Sequence, residues 1–462
     1  MLSKETLKQV LEMALSTGGD FSEIFVEDTT KKSIVLVAGK VDDIIGGQNY
    51  GIGIRVCKDF QSMYAYTNDD SLESLLDTAK RAAEALNGIA TSDAAVNINL
   101  VETIPTNIHP ILQVPGDVAA THKIAKLKEV HRGASEYSDE ISQVTVSLVE
   151  IDQKVQIANS NGLLTSDRRI QTRVTASSIA QNGSDRQTGT DSFGSRMGFE
   201  LVEDLDLYAL GRHTAIIATT MLHADYCPAG RMPVAIENGF GGVIFHEACG
   251  HSLEATSVAK GNSVFCNMLG QKIANEKVTA IDDGTIPNAW GSLNIDDEGH
   301  PTQKNILIEN GILKSYLVDS FNGRRMNMPS SGSGRRESYK FAPTSRMTNT
   351  YIAPGDDSNE AIIASIDYGL YAKKMGGGSV NPITGEFNFA VTEGYIIKNG
   401  KIDHPVRGAS LIGSGQEVLL NIDMVGSNIS HAPGMCGSSS GSVPTNVGQP
   451  LIRVREITVG GR

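Results

Sequence analysis

The chain has 462 residues, 40% of them hydrophobic, which is more than one ordinary core absorbs and suits two or three domains. Its formal net charge is −13, so it gains no counterion-release affinity from nucleic-acid phosphates and nothing from an anionic membrane surface. Neither direct nucleic-acid binding nor a membrane partner is therefore expected.

The chain opens on a helical pattern over residues 3–16, with Leu7, Val10, Leu11, Ala14 and Leu15 on one side and Ser3 as its cap. Short strands are predicted at Ile24–Glu27, Ser33–Val37, Gly51–Cys57 and Ser62–Tyr66. Residues 71–87 return to helix, with Gly88 suited to follow its C-terminus. Residues 89–116 lack periodicity, hold Pro105, Pro110 and Pro115, and read as a connector. A helix is expected over 117–137. Strands are expected at Val144–Ile151, Val155–Ala158 and Ile170–Ile179, with a tight turn at Ser160-Asn-Gly162. A helix over 204–222 and a turn at Pro228–Arg231 close this first part, an α+β domain over 1–231 with a possible subdivision near 89–116.

The second part, 232–462, reads as mostly antiparallel β, barrel- or sandwich-like, and carries the metal-binding helix. The strand Pro233–Glu237 leads through a glycine-rich entry, Gly239 to Gly242, into the segment Val243–Ala255. Asn310-Gly311 and Asn399-Gly400 each sit between apolar runs and signal hairpins. Ser330–Gly334 and Gly434–Gly441 read as low-complexity loops. Arg335–Arg336, the nearest thing to a basic patch, reads as a solvated loop. The N-terminus lacks a basic stretch followed by an apolar run, and nothing approaches a spanning helix, so a cytoplasmic location is expected. Five scattered cysteines without CxxC pairs argue against a disulfide framework; a functional cysteine here is a metal ligand or a nucleophile.

The chemistry concentrates in Gly242-Val-Ile-Phe-His246-Glu247-Ala-Cys-Gly250-His251-Ser-Leu-Glu254. Its spacing is H-E-x-x-x-H. On a regular helix, residues four apart are offset by about 40° but residues five apart by about 140°. A straight helix would point the two imidazoles apart, so a bulged or broken helix is predicted, eased by Gly250. His246 and His251 are candidate zinc ligands, and Glu247 is the candidate general base for a zinc-activated water. Cys436, in Pro433-Gly434-Met435-Cys436-Gly437, is the chosen third ligand. Cys249 is an alternative ligand but reads as core. Glu254 reads as a solvated helix face and Glu247 alternatively as an outer carboxylate. His404 and His431 default to surface, with His431 able to line the site. Tyr339, Arg346 and His431 are candidate oxyanion donors.

With these residues the sequence resembles the TldD/PmbA family, on its TldD side. The resemblance rests on the His246–His251 motif with Glu254 following, on Arg346-Met-Thr-Asn349-Thr, on the strand pair around Glu393-Gly394-Tyr395, and on Gly434-Met-Cys436-Gly437. It spans essentially the whole chain. It implies a cytoplasmic zinc metalloprotease acting on unfolded or flexible peptides. His246, His251 and Cys436 would be the zinc ligands and Glu247 the catalytic glutamate, and a PmbA/TldE-like subunit the heterodimer partner, with a homodimer as the other option. In relatives the loop cysteine is often followed by Gly-Lys; here Gly437 is followed by Ser438, which alters the loop's charge and not the ligand. The alternative reading is a non-catalytic regulatory partner of a topoisomerase, a modulator of DNA gyrase, which gives His246, Glu247 and His251 no joint role.

Overall fold

The structure, a computed structural model, describes residues 1–87, 97–381 and 384–461. Gly88, the expected end of the second helix, and part of the expected connector lie outside the described residues.

The first helix spans Lys4–Ala14, and Ser3 accepts a hydrogen bond from the Thr6 N–H as its cap. It packs with the helix Leu72–Asn87 on one face of a seven-stranded sheet built from Phe21–Val37, Lys40–Lys58, Gln61–Thr67, Val101–Thr103, Ile141–Asn159, Leu163–Asn182 and Asp185–Ser195. Strands expected as separate pieces are continuous. Phe21–Val37 runs unbroken through the polar stretch Asp28–Lys32, because Lys40–Lys58 pairs with it on one side and Ile141–Asn159 on the other. The backbone is thus satisfied on both edges while the polar side chains face water, a pairing that a break in apolar alternation conceals. Ser160-Asn-Gly162 does turn one strand into the next, with Gly162 at φ +96°. Helices Ala120–Ser135 and Leu207–Leu222 cover a second core on the same sheet, around Leu36, Val146, Leu148 and Val174.

The later half contains a closed barrel. Tyr368–Val380, Gly230–Ile236, Ile452–Gly460, Ser410–Ser414 and Glu386–Lys398 pair in that order, and the last returns to the first. The division expected at residue 231 falls inside Gly230–Ile236, which pairs with barrel strands on both sides. Asp225–Tyr226 also joins this sheet. The architecture is α+β with a β-rich barrel following a mixed α/β half, as the sequence implied. Both Asn-Gly turns adopt the left-handed conformations a two-residue hairpin needs, at φ 48° and 79° for Asn310-Gly311 and 49° and 71° for Asn399-Gly400.

A six-stranded sheet lies beside the barrel and ends on the hairpin Ser430–Ser438/Gly441–Gln449. The expected loop Gly434–Gly441 is therefore mostly strand. Its glycines read as loop, but Gly434 and Gly437 pair with Thr445 and Ser442, and the turn is confined to residues 439–440 with Gly441 at φ +86°.

Buried ion pairs tie the two halves together. Arg55 lies between Glu23 and Glu298, 2.7 Å from each, and Arg336 reaches Glu23 at 2.6 Å. Arg336 also stacks on Phe25, 4.3 Å from the ring centre. Arg335 and Arg336, expected in a solvated loop, are both buried. Polar side-chain spacing alone does not reveal that a carboxylate from a distant strand, Glu23, waits for Arg336.

Candidate metal centre

The motif segment begins as the helix Val243–Ala248, breaks at Cys249 with φ −130° and ψ −46°, and resumes as a tighter 3-10 turn over Gly250–Leu253. This is the broken helix the five-residue spacing requires. The rotation at Cys249 brings His246 and His251 together edge to face, with ring centres 5.1 Å apart. Two glycines make the geometry possible. A Cβ on Gly242 would sit 2.4 Å from the Gly448 backbone, so the helix entry lies directly against the strand that pairs with Cys436. A Cβ on Gly250 would sit 2.2 Å from the Met347 sulfur.

Cys436 Sγ is 3.3 Å from His246 Nε2 and 3.3 Å from His251 Nε2. The three ligand-type atoms lie within 4.8 Å of one another, and no other such cluster occurs among the described residues. Zinc bonds of about 2.3 Å to sulfur and 2.0–2.1 Å to nitrogen at a tetrahedral angle put sulfur and nitrogen about 3.5 Å apart. The donor set and its spacing fit a zinc ion. Burial by itself would push the Cys436 thiol up, but the His246 and His251 imidazoles outweigh it and hold the thiol well below its usual range. Burial would likewise lower His251, but Glu254 and Cys436 carry it well above the ordinary imidazole value. The thiolate that a metal requires is thus the favoured form of this site.

Glu247 stands at the rim, a quarter exposed, with Oε2 3.7 Å from His251 Nε2. Glu254, expected on a solvated helix face, is instead buried, and its Oε2 lies 3.2 Å from His251 Nδ1. The chain turns into the core after Leu253, which removes the solvated face. The i,i+3 spacing from His251 was the available sequence signal for this contact. Arg346 lies 3.9 Å from Glu254 and donates to the Cys436 and Gly441 carbonyls and to Ser440. It braces the ligand-bearing hairpin from behind. His246 Nδ1 is buried without a partner.

The remaining candidates disperse. Cys249 is fully buried in the core, and burial pushes its thiol up. His404 is exposed beside Asp403. His431 packs edge-on against Tyr351, 5.1 Å between ring centres, and its odd position in the strand turns it to the face opposite Cys436. Tyr339 packs against Phe25, Val155 and Ile157 of the seven-stranded sheet. Of the three oxyanion candidates, only Arg346 touches the site; its two terminal nitrogens are engaged by the Cys436 and Gly441 carbonyls and by Ser440, and its Nε is buried without a hydrogen-bond partner.

Comparison with known proteins places the whole chain in one family. Family models for the PmbA/TldA metallopeptidase match in three consecutive parts: domain 1 over residues 22–86, the central domain over 114–222 and the C-terminal domain over 229–461. A metalloprotease TldD homolog of Haemophilus influenzae is 36% identical over 473 aligned positions, covering 100% of this chain and 97% of that protein. A zinc metalloprotease TldD homolog of Saccharolobus solfataricus is 25% identical, covering 98% of this chain and 99% of that protein. Among solved structures, TldE from Thermococcus kodakarensis shares the fold with a TM-score of 0.78 at 19% identity, covering 99% of this chain and 100% of that one. The broken histidine helix and its cysteine-bearing hairpin thus sit in a chain that belongs to the PmbA/TldD metallopeptidase family.

Proposed function

We propose that the chain is a zinc-dependent peptidase that hydrolyses unfolded or flexible peptides. His246, His251 and Cys436 are the ligands and Glu247 is the general base. The observation that carries this reading is the convergence of two Nε2 atoms on the Cys436 sulfur, 3.3 Å from each, with the Glu247 carboxylate beside them. A zinc ion held there supplies Lewis acidity toward a peptide carbonyl and lowers the pKa of water.

The chain's own residues do the rest. Cys436 contributes the anionic ligand from a strand whose backbone Arg346 braces. Glu254 receives the Nδ1 proton of His251, which fixes the tautomer and aims Nε2 at the ligand position. Glu247, partly in solvent, takes a proton from the attacking water and returns it to the leaving amine. His246 is buried and His251 only 13% exposed, which holds their geometry without help from substrate. The similarity to TldE favours a PmbA/TldE-like chain, or else a second copy of this one, as partner subunit. No described helix is long and apolar enough to cross a membrane, and the cytoplasm is the proposed location.

The test is hydrolysis of an unstructured peptide by wild type and Glu247→Gln, each with zinc content measured. The expected result is a loss in kcat of about 10²–10⁴-fold for the variant with zinc retained. Equal hydrolysis by both proteins, or equal cleavage of a well-folded protein and its unfolded form, would overturn the reading.

A further inference from the structure

A second site lies between the two halves. A cavity of about 960 Å³ has the face of the seven-stranded sheet as its floor and the 335–341 segment and the Cys436 hairpin as its walls. Four cations line it without a carboxylate partner: Lys31, Arg196, Arg335 and Lys340. Two of these are buried, Arg196 and Arg335 each at 3% exposure. Arg335 donates to the Met347 and Pro444 carbonyls, at 2.6 and 2.7 Å, and to no anion. Arg196 forms no side-chain hydrogen bond or ion pair with any described residue, and its Nε is buried without a partner.

The carboxylates in and beside the cavity are already engaged: Glu27 accepts from Thr29, Gln153 and the Tyr339 N–H, and Glu337 accepts from the Ser442 N–H. Asp167 serves Arg169 and Asn294, and Asp297 serves Arg169 and the Arg336 N–H. Burial first, and then the neighbouring Arg169, push the Arg196 guanidinium down to about 9. A buried unpaired guanidinium costs several kcal/mol, on the order found when one member of a buried pair is removed. In a chain of net charge −13 there is no shortage of carboxylates that could have been set opposite it. Ile45, Ile151, Leu293, Phe341 and Met435 give the otherwise polar wall an apolar part.

We propose that this cavity is an anion site that takes a carboxylate carried on an apolar body, held by Arg196 and Arg335, with Lys31 and Lys340 at its mouth. Guanidinium and carboxylate planes pair in a two-point fashion that ammonium groups do not offer. The volume lies within the range of sites that enclose small organic ligands, about 300–1,000 Å³. Two sources share this chemistry, a free peptide C-terminus and an acidic side chain. The site is separate from the metal centre: Met435 and Cys436 are adjacent in one strand and point to opposite faces. The inference does not rest on the peptidase reading.

The experiment is isothermal titration of the Glu247→Gln protein, which would leave peptide probes intact, with three ligands. These are N-acetyl-trileucine, its C-terminal amide, and the amide of N-acetyl-Leu-Glu-Leu. Binding of the free acid with at least about tenfold preference over its amide, lost in Glu247→Gln/Arg196→Met, is the expected result. Binding of the glutamate-bearing amide alone, also lost with Arg196, would assign the side chain as the source and keep the site. Equal binding of trileucine acid and amide, binding of neither the acid nor the glutamate peptide, or binding unaffected by Arg196→Met, would overturn the proposal. The acid-against-amide comparison needs no arginine variant, so a folding defect in Arg196→Met cannot mask the outcome. Removing an unpaired buried charge is also expected to leave the melting temperature of the ligand-free protein unchanged or raised; a fall would mark Arg196 as structural.

Discussion

Replacing Glu254 by glutamine removes one negative charge from beneath His251 and leaves a side chain of the same shape. In the native arrangement the carboxylate lies 3.2 Å from Nδ1, is buried, and is flanked at 3.9 Å by Arg346. The glutamine oxygen can still accept the Nδ1 proton, so the ring keeps its orientation. What disappears is the charge that raises the basicity of Nε2. Outer carboxylates of this kind are worth about 10–100-fold in metal affinity, or about 1.4–2.7 kcal/mol. The assay is competition for zinc against a chromophoric chelator, comparing wild type with Glu254→Gln. Weakening within that range supports the positioning role. An affinity within about twofold of wild type would refute it, since a solvated carboxylate would behave in that way. Glu254→Ala, which also frees the ring, is expected to weaken zinc further.

Three other perturbations test the frame around the site. Arg55→Met leaves Glu23 and Glu298 buried without their shared cation; a loss of about 3–5 kcal/mol is expected, read as a lower urea midpoint, and an unchanged midpoint would refute the bridging role. Gly250→Ala forces a methyl to within 2.2 Å of the Met347 sulfur; it should destabilise by about 1–3 kcal/mol and lower zinc occupancy, whereas Gly116→Ala, with open space at its Cβ, should do neither. His109 accepts the Asn288 N–H through Nδ1, and burial, then Arg196, lower it to about 3. Its folded value lies below the unfolded one, so the unfolded chain binds more protons between roughly pH 6.5 and 3. Its contribution is full above that window and falls away as pH drops through it, by up to about 1.4 kcal/mol per pH unit. Wild type should lose more stability than His109→Asn between pH 7 and 4.5; equal losses would contradict this.

Much of this site was legible because its signals are local. Five-residue spacing between His246 and His251 excludes a straight helix on geometry alone, and the break at Cys249 follows. Asn310-Gly311 and Asn399-Gly400 carry their backbone conformations in their residue types. Cys436 could be chosen but not located, because its glycine-rich surroundings look like a loop; the strand exists only through pairing with residues 441–449. Long strands were divided for the same reason: polar runs such as Asp28–Lys32 break the alternation while both neighbours still supply hydrogen bonds. Glu254, Arg335 and Arg336 were assigned to solvent on residue type, and Arg196 gave no signal at all. The burial of Arg336 depends on Glu23, brought from a distant strand, which a single sequence does not show; Glu254 alone carried a local signal, its i,i+3 spacing from His251.

The central claim is that three side chains and no others bind the metal, and elemental analysis of purified protein tests it most directly. Wild type, His246→Ala, Cys436→Ala and Glu247→Gln would each be incubated with zinc and reductant, desalted and measured. The account predicts near-stoichiometric zinc in wild type and Glu247→Gln, and its loss in the other two. Zinc absent from wild type, or retained in full by Cys436→Ala, would contradict it.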